Sequence, residues 1–290
     1  SNHSLYKYAQ FRAKFAKSKF IDHNSNNYKS SQQFSINRFL INIKKICPSV
    51  IYTVPNLLIV VCKLLEKNKT KTFLKVKLIF CGGESWIPEL DRLVKKKFPN
   101  AKIVEFYGSA ELGFVGWGAP GKGFKLFPGV EAWCDKDSVI WVKSPYIANI
   151  SSPATSGDTG WFDQSGLLHL CGRIDRNFKF KGVCVEPQVI ENALKIHPKI
   201  TRAHVFKRNN QNKDSNICAM ILLSNNIVIS HQVKNGELKT FNLSHDLASE
   251  IERIMIQKEI SFPISAIKII NTWPLSNSGK TNYKLIEKKW

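Results

Sequence analysis

The chain has 290 residues, 43% of them apolar, and a formal net charge of +21. That length excludes a single minimal domain and suits two, and the apolar share is enough for packed cores. Eight of the 43 basic residues are Arg and the rest Lys, a balance that fits a solvated surface and leaves a polyanion as a candidate partner: nucleic acid, an acidic membrane face or a phosphate-rich small molecule.

In chain order, FSINRFLINIKKI (34–46) has a helical apolar period. VIYTV (50–54) is a β-branched strand, and PNLLIVVCKLLEK (55–67) reads as a helix opened by Pro55. VKLIFC (76–81) is a strand stopped by Gly82-Gly83. IPELDRLVKKKF (87–98) is an amphipathic helix, and KIVEFY (102–107) is a strand ending at Gly108. Strands alternating with helices predict βαβ units and a mostly parallel sheet. From about residue 114 short strands alternate with Gly and Pro turns, including a hairpin turning at Gln164-Ser165-Gly166. This predicts a small antiparallel sheet or barrel packed on the first layer.

After Asp175 the composition changes again. VCVEP is a strand and PQVIENALKIH a helix. RAHVFKR and ICAMILLS are strands joined by a polar loop at 209–216. LSHDLASEIERIMIQKEI is a long helix, AIKII a strand, and a final helix follows a Ser/Gly/Asn loop. The expected division is an α/β layer over 1–113, a β-rich part over 114–174, and an α+β domain over 175–290.

The seven cysteines, Cys47, Cys62, Cys81, Cys134, Cys171, Cys184 and Cys218, form no C-x-x-C pair, and most lie in apolar runs. That pattern predicts reduced, buried thiols in a cytoplasmic protein, with no zinc site. The opening SNHSLYKYAQFRAKF has no apolar core of signal-peptide length, and the longest apolar run, Val50 to Cys62, is too short to span a bilayer.

Ligands of an open parallel sheet bind at the carboxyl ends of its strands. Two glycine stops fall there, CGGE (81–84) and YGSAE (107–111). Glycine lets a flat ligand approach the backbone. Tyr107 offers an aromatic face, and Glu111 a carboxylate suited to a hard cation such as Mg²⁺. Asp158, in TSGD, would accept bonds from vicinal hydroxyls such as those of a ribose, or close an Asx turn. Arg173 follows the hairpin, and Lys280 lies in a flexible SNSGKTN loop. Each of these taken singly is ordinary structure: a strand-to-helix turn, a tight turn or a solvated lysine.

Taken in order, CGGE, YGSAE, SGD, GRIDRNFKFKGVCVEPQVIE and SGK resemble the motif series of the adenylate-forming superfamily, which contains acyl-CoA synthetases, peptide-synthetase adenylation domains and luciferases. The resemblance covers almost the whole chain. It implies the second part of a large adenylate-forming domain (1–174) followed by a small lid domain (175–290) with a hinge at Asp175. It also implies two half-reactions: a carboxylate attacks ATP to give an acyl-adenylate and pyrophosphate, and a thiol, CoA or a carrier-protein pantetheine, then displaces AMP.

In that likeness Lys280 and Glu111 are catalytic, Glu111 through Mg²⁺. Gly82, Gly83, Glu84, Tyr107, Gly108, Asp158 and Arg173 hold the nucleotide. Tyr107 stacks on adenine, Asp158 takes the ribose hydroxyls, and Lys181 with Gly182 faces the thiol. His3 matches a residue beside the acyl pocket, and Phe114 and Trp117 point to a fatty or aromatic acid.

The sequence departs from the series in three places. The upstream Ser/Thr/Gly-rich phosphate loop is absent, which implies that the chain starts inside the large domain and exposes apolar surface, with a homodimer as one outcome. Ala110 stands where the series has Ser or Thr, and Ser156 where it has Thr. Ala110 favours an alternative, a degenerate paralogue that binds AMP, acyl-AMP or CoA without catalysis. A specific nucleic-acid partner has only composition behind it, since no basic-aromatic RNA motif occurs.

Overall fold

The computed structural model describes residues 36–109, 111–146, 153–209, 215–224, 228–230, 238–276 and 280–290, with isolated positions among residues 13–19. His3, Ala110 and most of the polar loop at 209–216 lie outside the described residues. The chain divides into two compact units, Ser1–Leu170 with Asn277–Lys280, and Cys171–Ser276 with Thr281–Trp290.

The first unit opens with α1 (Ile36–Ile46), β1 (Val50–Thr53) and α2 (Pro55–Lys67). Pro55 suits the first turn of α2 because its fixed φ matches the helix and its missing N–H would have no helical partner there. The Val54 carbonyl accepts the N–H groups of Leu57 (3.1 Å) and Leu58 (3.0 Å). Residues Pro55 through Cys62 and Leu65 are buried, so α2 is apolar nearly all round and sits inside the unit rather than on it. β2 (Leu78–Gly82), α3 (Glu89–Lys97) and β3 (Lys102–Ser109) follow. Acidic Glu89 and Asp91 lie in the first turn of α3 and Lys95 to Lys97 in its last, both favourable to the helix dipole.

β1, β2 and β3 pair in parallel, as the alternation of strands and helices predicts. The change of pattern near residue 114 does not end this sheet. β4 (Gly113–Gly118) and β5 (Lys125–Leu126) continue it in antiparallel pairing, giving the order β1-β2-β3-β4-β5. The turn between β3 and β4 is too short for a crossover helix, so the chain must reverse. Two ribbons follow, β6 (Glu131–Cys134) with β7 (Ile140–Lys143), and β8 (Asp158–Phe162) with β9 (Leu168–Arg173), which runs past the unit's last residue, Leu170. Single bridges Phe124–Leu168, Val139–Thr159 and Val142–Ala154 stitch them together. Their core is Leu112, Val115, Ile140, Val142 and Leu168.

The second unit continues from β9 through a 3₁₀ turn (Ile174–Arg176) into the hairpin β10 (Phe178–Phe180) and β11 (Val183–Val185). Then come α4 (Pro187–Leu194), β12 (Ile200–Asn209), β13 (Ser215–Leu223), β14 (Val228–Ser230), β15 (Thr240–Asn242), α5 (His245–Gln257), β16 (Ala266–Ile270), β17 (Thr272–Pro274) and α6 (Tyr283–Lys288). The main sheet runs β12-β13-β16-β15. β13 is a continuous apolar run because both of its faces are covered. Ile217, Ala219 and Ile221 pack with Ile190, Leu194 and Ile251 of α4 and α5. Cys218, Met220 and Leu222 pack with Trp273 and with Ile286 of α6. Ser244 caps α5 and Asn282 caps α6 through side-chain oxygens.

A buried polar knot links these elements. Glu191 of α4 accepts from Arg176 and from the Val205 N–H (2.9 Å), and His204 lies between Glu191 (3.3 Å) and Glu287 of α6 (2.8 Å). The Arg176 guanidinium stands over the Tyr283 ring, 4.9 Å from its centroid. Burial pushes the Glu191 carboxyl up, but bonds from His204 and Arg176 outweigh it and leave the group below the ordinary carboxylate range. A depressed carboxyl stabilises the fold above the unfolded-state value and loses that contribution as pH falls through the folded one. Urea midpoints of the native chain should therefore fall more steeply between about pH 5 and pH 3 than those of Glu191→Gln. Parallel slopes would remove Glu191 from the acid limb.

All seven cysteines are free. Cys62, Cys81 and Cys218 are buried as expected, and burial pushes the Cys62 thiol up to about 12. The others depart from the expectation: Cys47, Cys134 and Cys171 are half-buried, and Cys184 is exposed on the two-stranded β10–β11 hairpin. Among the described residues no helix is long and apolar enough to cross a membrane.

Candidate nucleotide and acyl site

The site of the first unit forms where β2 and β3 end side by side. Their register, Gly82 opposite Phe106, brings the two glycine stops together. The expected strand-to-helix turn after YGSAE is instead a strand-to-strand reversal, because β4 pairs directly with β3. Glu111 therefore sits exposed in a β-turn. The Ser109 hydroxyl accepts the Leu112 N–H at 3.1 Å and shapes that turn.

The glycines of the two stops are not alike. A Cβ on Gly82 would meet the Phe106 ring at 2.6 Å, and one on Gly108 would overlap the Gly113 carbonyl oxygen. Close packing within the chain thus accounts for both. Gly83 is exposed, and a Cβ there would lie 3.5 Å from Lys280 Cε and 3.9 Å from Lys280 Nζ. Lys280, which belongs to the first unit, thus has its amine beside the glycine stop of β2. Glu84, next in the chain, is bonded by the Asn56 side-chain amide. Asn56 is fully buried at the start of α2. Sequence reasoning passed over it; the signal was a polar residue set into an apolar helix at the carboxyl end of β1.

Tyr107 is 6% exposed and packs against Phe124 at 5.8 Å. Its ring thus presents little open face, and its hydroxyl donates to Asp158 Oδ2 at 2.9 Å. The Ser156 hydroxyl donates to the same oxygen at 2.6 Å. The tight turn before Asp158 is closed by the Thr155 hydroxyl, which accepts the Gly157 N–H at 3.0 Å. The Tyr107 and Ser156 hydroxyls thus converge on the Asp158 carboxylate. The residues expected around a ribose, Tyr107 and Asp158, are in direct contact although 51 positions apart.

On one face of the five-stranded sheet the two-residue alternation lines up Tyr52, Phe80 and Val104, with Phe106 beside Trp117. Together with Phe114 and Phe127 they line an apolar cavity of about 250 Å³. Tyr52 and Phe80 stack at 4.9 Å. The cavity thus includes Phe114 and Trp117, the two residues that the sequence marked for an acyl pocket, and adds Phe106, whose ring also covers Gly82. β3 carries a buried carboxyl too. Burial raises Glu105, while N–H groups of Gly121 (2.8 Å) and Trp86 pull it down.

The remaining candidates lie in the second unit. Arg173 forms a two-point bond with Asp175, Nε to Oδ1 at 3.0 Å and a terminal nitrogen to Oδ2 at 2.9 Å. That bond holds the Asp175 carboxyl below its ordinary range. Lys181 (φ +47°) and Gly182 (φ +85°) form the two-residue turn between β10 and β11. Positive φ at both positions marks the hairpin turn that matches strand twist. Nothing lies within 4 Å of a Cβ built on Gly182, so the glycine answers to backbone conformation. Among the described residues no cluster of three or more His, Cys, Asp or Glu side chains gathers to hold a metal.

Comparison with known proteins bears on family and fold. A family model described as AMP-binding enzyme matches residues 27–134. The chain is 25% identical over 288 residues to 4-coumarate-CoA ligase 2 of Narcissus pseudonarcissus, covering 86% of this chain and 47% of that protein. Among solved structures it is similar to an anthranilate CoA ligase in complex with anthranoyl-AMP, with a TM-score of 0.64 and 18% identity over 88% of this chain and 52% of the other. It is also similar to o-succinylbenzoate CoA synthetase of Bacillus subtilis in complex with its acyl-adenylate intermediate, with a TM-score of 0.65 and 17% identity over 98% and 58%. The chain spans about half the length of these proteins. The structural likenesses show the fold, and the family match over residues 27–134 together with the ordered motifs supports placing this chain in the adenylate-forming, AMP-binding superfamily.

Proposed function

We propose that the chain is the part of an acid–thiol ligase that holds the nucleotide and the acyl group while a carboxylic acid is converted by ATP to an acyl-adenylate and passed to a thiol, CoA in the first instance. The observation that carries this reading is the meeting, at the carboxyl ends of β2 and β3, of Asp158 with the Tyr107 and Ser156 hydroxyls and of Lys280 with Gly83. Asp158 accepts the ribose hydroxyls, with Tyr107 and Ser156 fixing its carboxylate. The Lys280 amine stabilises negative charge that develops between the carboxylate and the α-phosphate, where a fixed cation is most effective. The apolar cavity beside Phe106 and Phe114 takes the acid's hydrocarbon part and favours a fatty or aromatic acid over a polar one.

Arg173, freed from Asp175, serves the nucleotide, and Asp175 serves as the hinge. The Lys181-Gly182 turn faces the thiol. Mg²⁺ fits as an ion that arrives with the nucleotide phosphates, with Glu111 supplying one oxygen, since one carboxylate does not by itself make a Mg²⁺ site. A second reading, a nucleotide-binding paralogue without ligase activity, is favoured by Ala110 in the YGSAE motif.

Acid-dependent ATP–pyrophosphate exchange separates the two. It should be measured over fatty, aromatic and amino acids, on this chain and on the longest native polypeptide that contains it, with AMP binding followed by calorimetry. Exchange with an apolar acid is the expected result. AMP binding without exchange in either form would select the paralogue, and absence of both would end the nucleotide reading.

A further inference from the structure

We propose that the amino-terminal edge of the five-stranded sheet is a docking surface for an anionic lipid bilayer. This edge lies at the ends of the parallel strands opposite to the nucleotide site, and nothing in the proposed ligase chemistry uses it. Three backbone contacts build it. The Lys77 N–H donates to Ser49 (2.8 Å), the Lys102 N–H donates to Lys77 (2.9 Å), and the Phe73 N–H donates to Lys97 (2.8 Å). The Lys97 amine, buried, donates to the Thr70 carbonyl at 2.9 Å, and the Asn100 amide to the Leu74 carbonyl at 3.1 Å. The connection between α2 and β2 is thereby pinned along the end of α3 and the start of β3.

The result is a single-sign surface. Lys69, Lys71, Lys75 and Lys77 on the connection, Lys95 on α3 and Lys102 on β3 are all exposed. Neither 67–78 nor 94–104 contains an acidic residue. Of the two acids that immediately flank these segments, Glu66 is paired with Lys96 at 2.7 Å and Glu105 is buried. In the middle of the lysines Leu74 stands 57% exposed, while Phe73 beside it is buried. Clustered lysines are drawn to the negative potential of anionic headgroups, and an apolar tip among them gains by entering the headgroup boundary. The same two segments contain no Arg, and no aromatic ring is exposed in them. A nucleic-acid surface would use guanidinium forks and stacking rings. A protruding leucine serves a bilayer and adds nothing to phosphate binding.

Vesicle flotation tests this with phosphatidylcholine alone and with about 30% phosphatidylserine added. Lys69, Lys71, Lys75 and Lys77 are changed together to Gln. A control with the same charge change replaces Lys239, Lys258, Lys284 and Lys288 of the second unit. Leu74→Ser removes the apolar tip, and circular dichroism checks that each variant is folded. Binding to the anionic vesicles only is expected, about tenfold or more weaker in the four-lysine variant, severalfold weaker in Leu74→Ser, and within about twofold of native in the control. Equal losses in the patch and control variants would assign binding to net charge and overturn the proposal. So would equal binding to neutral vesicles, Leu74→Ser binding as native, or displacement from vesicles by RNA at lower concentration through the same four lysines.

Discussion

Replacing Lys280 by Ala should lower acid-dependent pyrophosphate exchange by about 10²–10³-fold while AMP affinity stays within about threefold of native. The split follows from where charge appears. In the proposed function AMP binding draws on Asp158 and on backbone at the strand ends, contacts made before reaction. The Lys280 amine lies beside Gly83, in position to act on charge that exists only while the acid attacks the phosphate. An interaction made only in the transition state is lost from rate and not from ground-state binding. Lys280→Arg should recover little, because the longer planar fork does not occupy the place of a compact ammonium. Exchange and AMP binding falling together would mean that the lysine has a structural role, and unchanged exchange would remove it from the chemistry.

Arg176→Ala should destabilise the second unit by about 3–5 kcal/mol. Its guanidinium is the cation that meets Glu191, and Glu191 is 3% exposed, with its other bonds from neutral donors and His204. Removing one member of a buried pair leaves the other charged and desolvated, which costs more than the pair itself contributes. The loss includes the Tyr283 ring face, where Arg176 packs, and so loosens α6. The double change Arg176→Met with Glu191→Gln should cost less than the two single changes added, since neither partner is then left alone. Denaturant midpoints with unchanged slopes measure this. A loss below about 1 kcal/mol for Arg176→Ala would place the pair in solvent-screened territory instead.

Most of the element order was legible because period and punctuation were clear. α2 announced itself by Pro55 before an apolar run, and α3 by its amphipathic period. β13 read as a strand from its apolar run; that both its faces are covered emerged only from the packing of α4, α5 and α6. The reversal after β3 was not legible. KIVEFYGSAE looks like a strand followed by a turn, and whether the next element crosses over or pairs back depends on a neighbour. Glycines at 108 and 113 that admit a close backbone approach decide it. The candidate site was legible as chemistry and not as contact. Tyr107, Asp158, Gly83 and Lys280 were selected by motif, whereas the Tyr107–Asp158 bond and the Asn56–Glu84 bond join residues far apart in sequence.

The amino-acid sequence by itself pointed to the superfamily and determined the α/β and α+β classes and which side chains carry charge or aromatic surface, since motif order, periodicity and composition are properties of the chain. Only the tertiary structure decided which of these meet. It covered the face of Tyr107 and turned its hydroxyl to Asp158, and it tied Arg173 to Asp175. It aligned Tyr52, Phe80, Phe106 and Phe114 into one cavity and gathered lysines from two segments on one edge. Those outcomes depend on strand register and on packing against neighbours, and neither is encoded in any local stretch of residues.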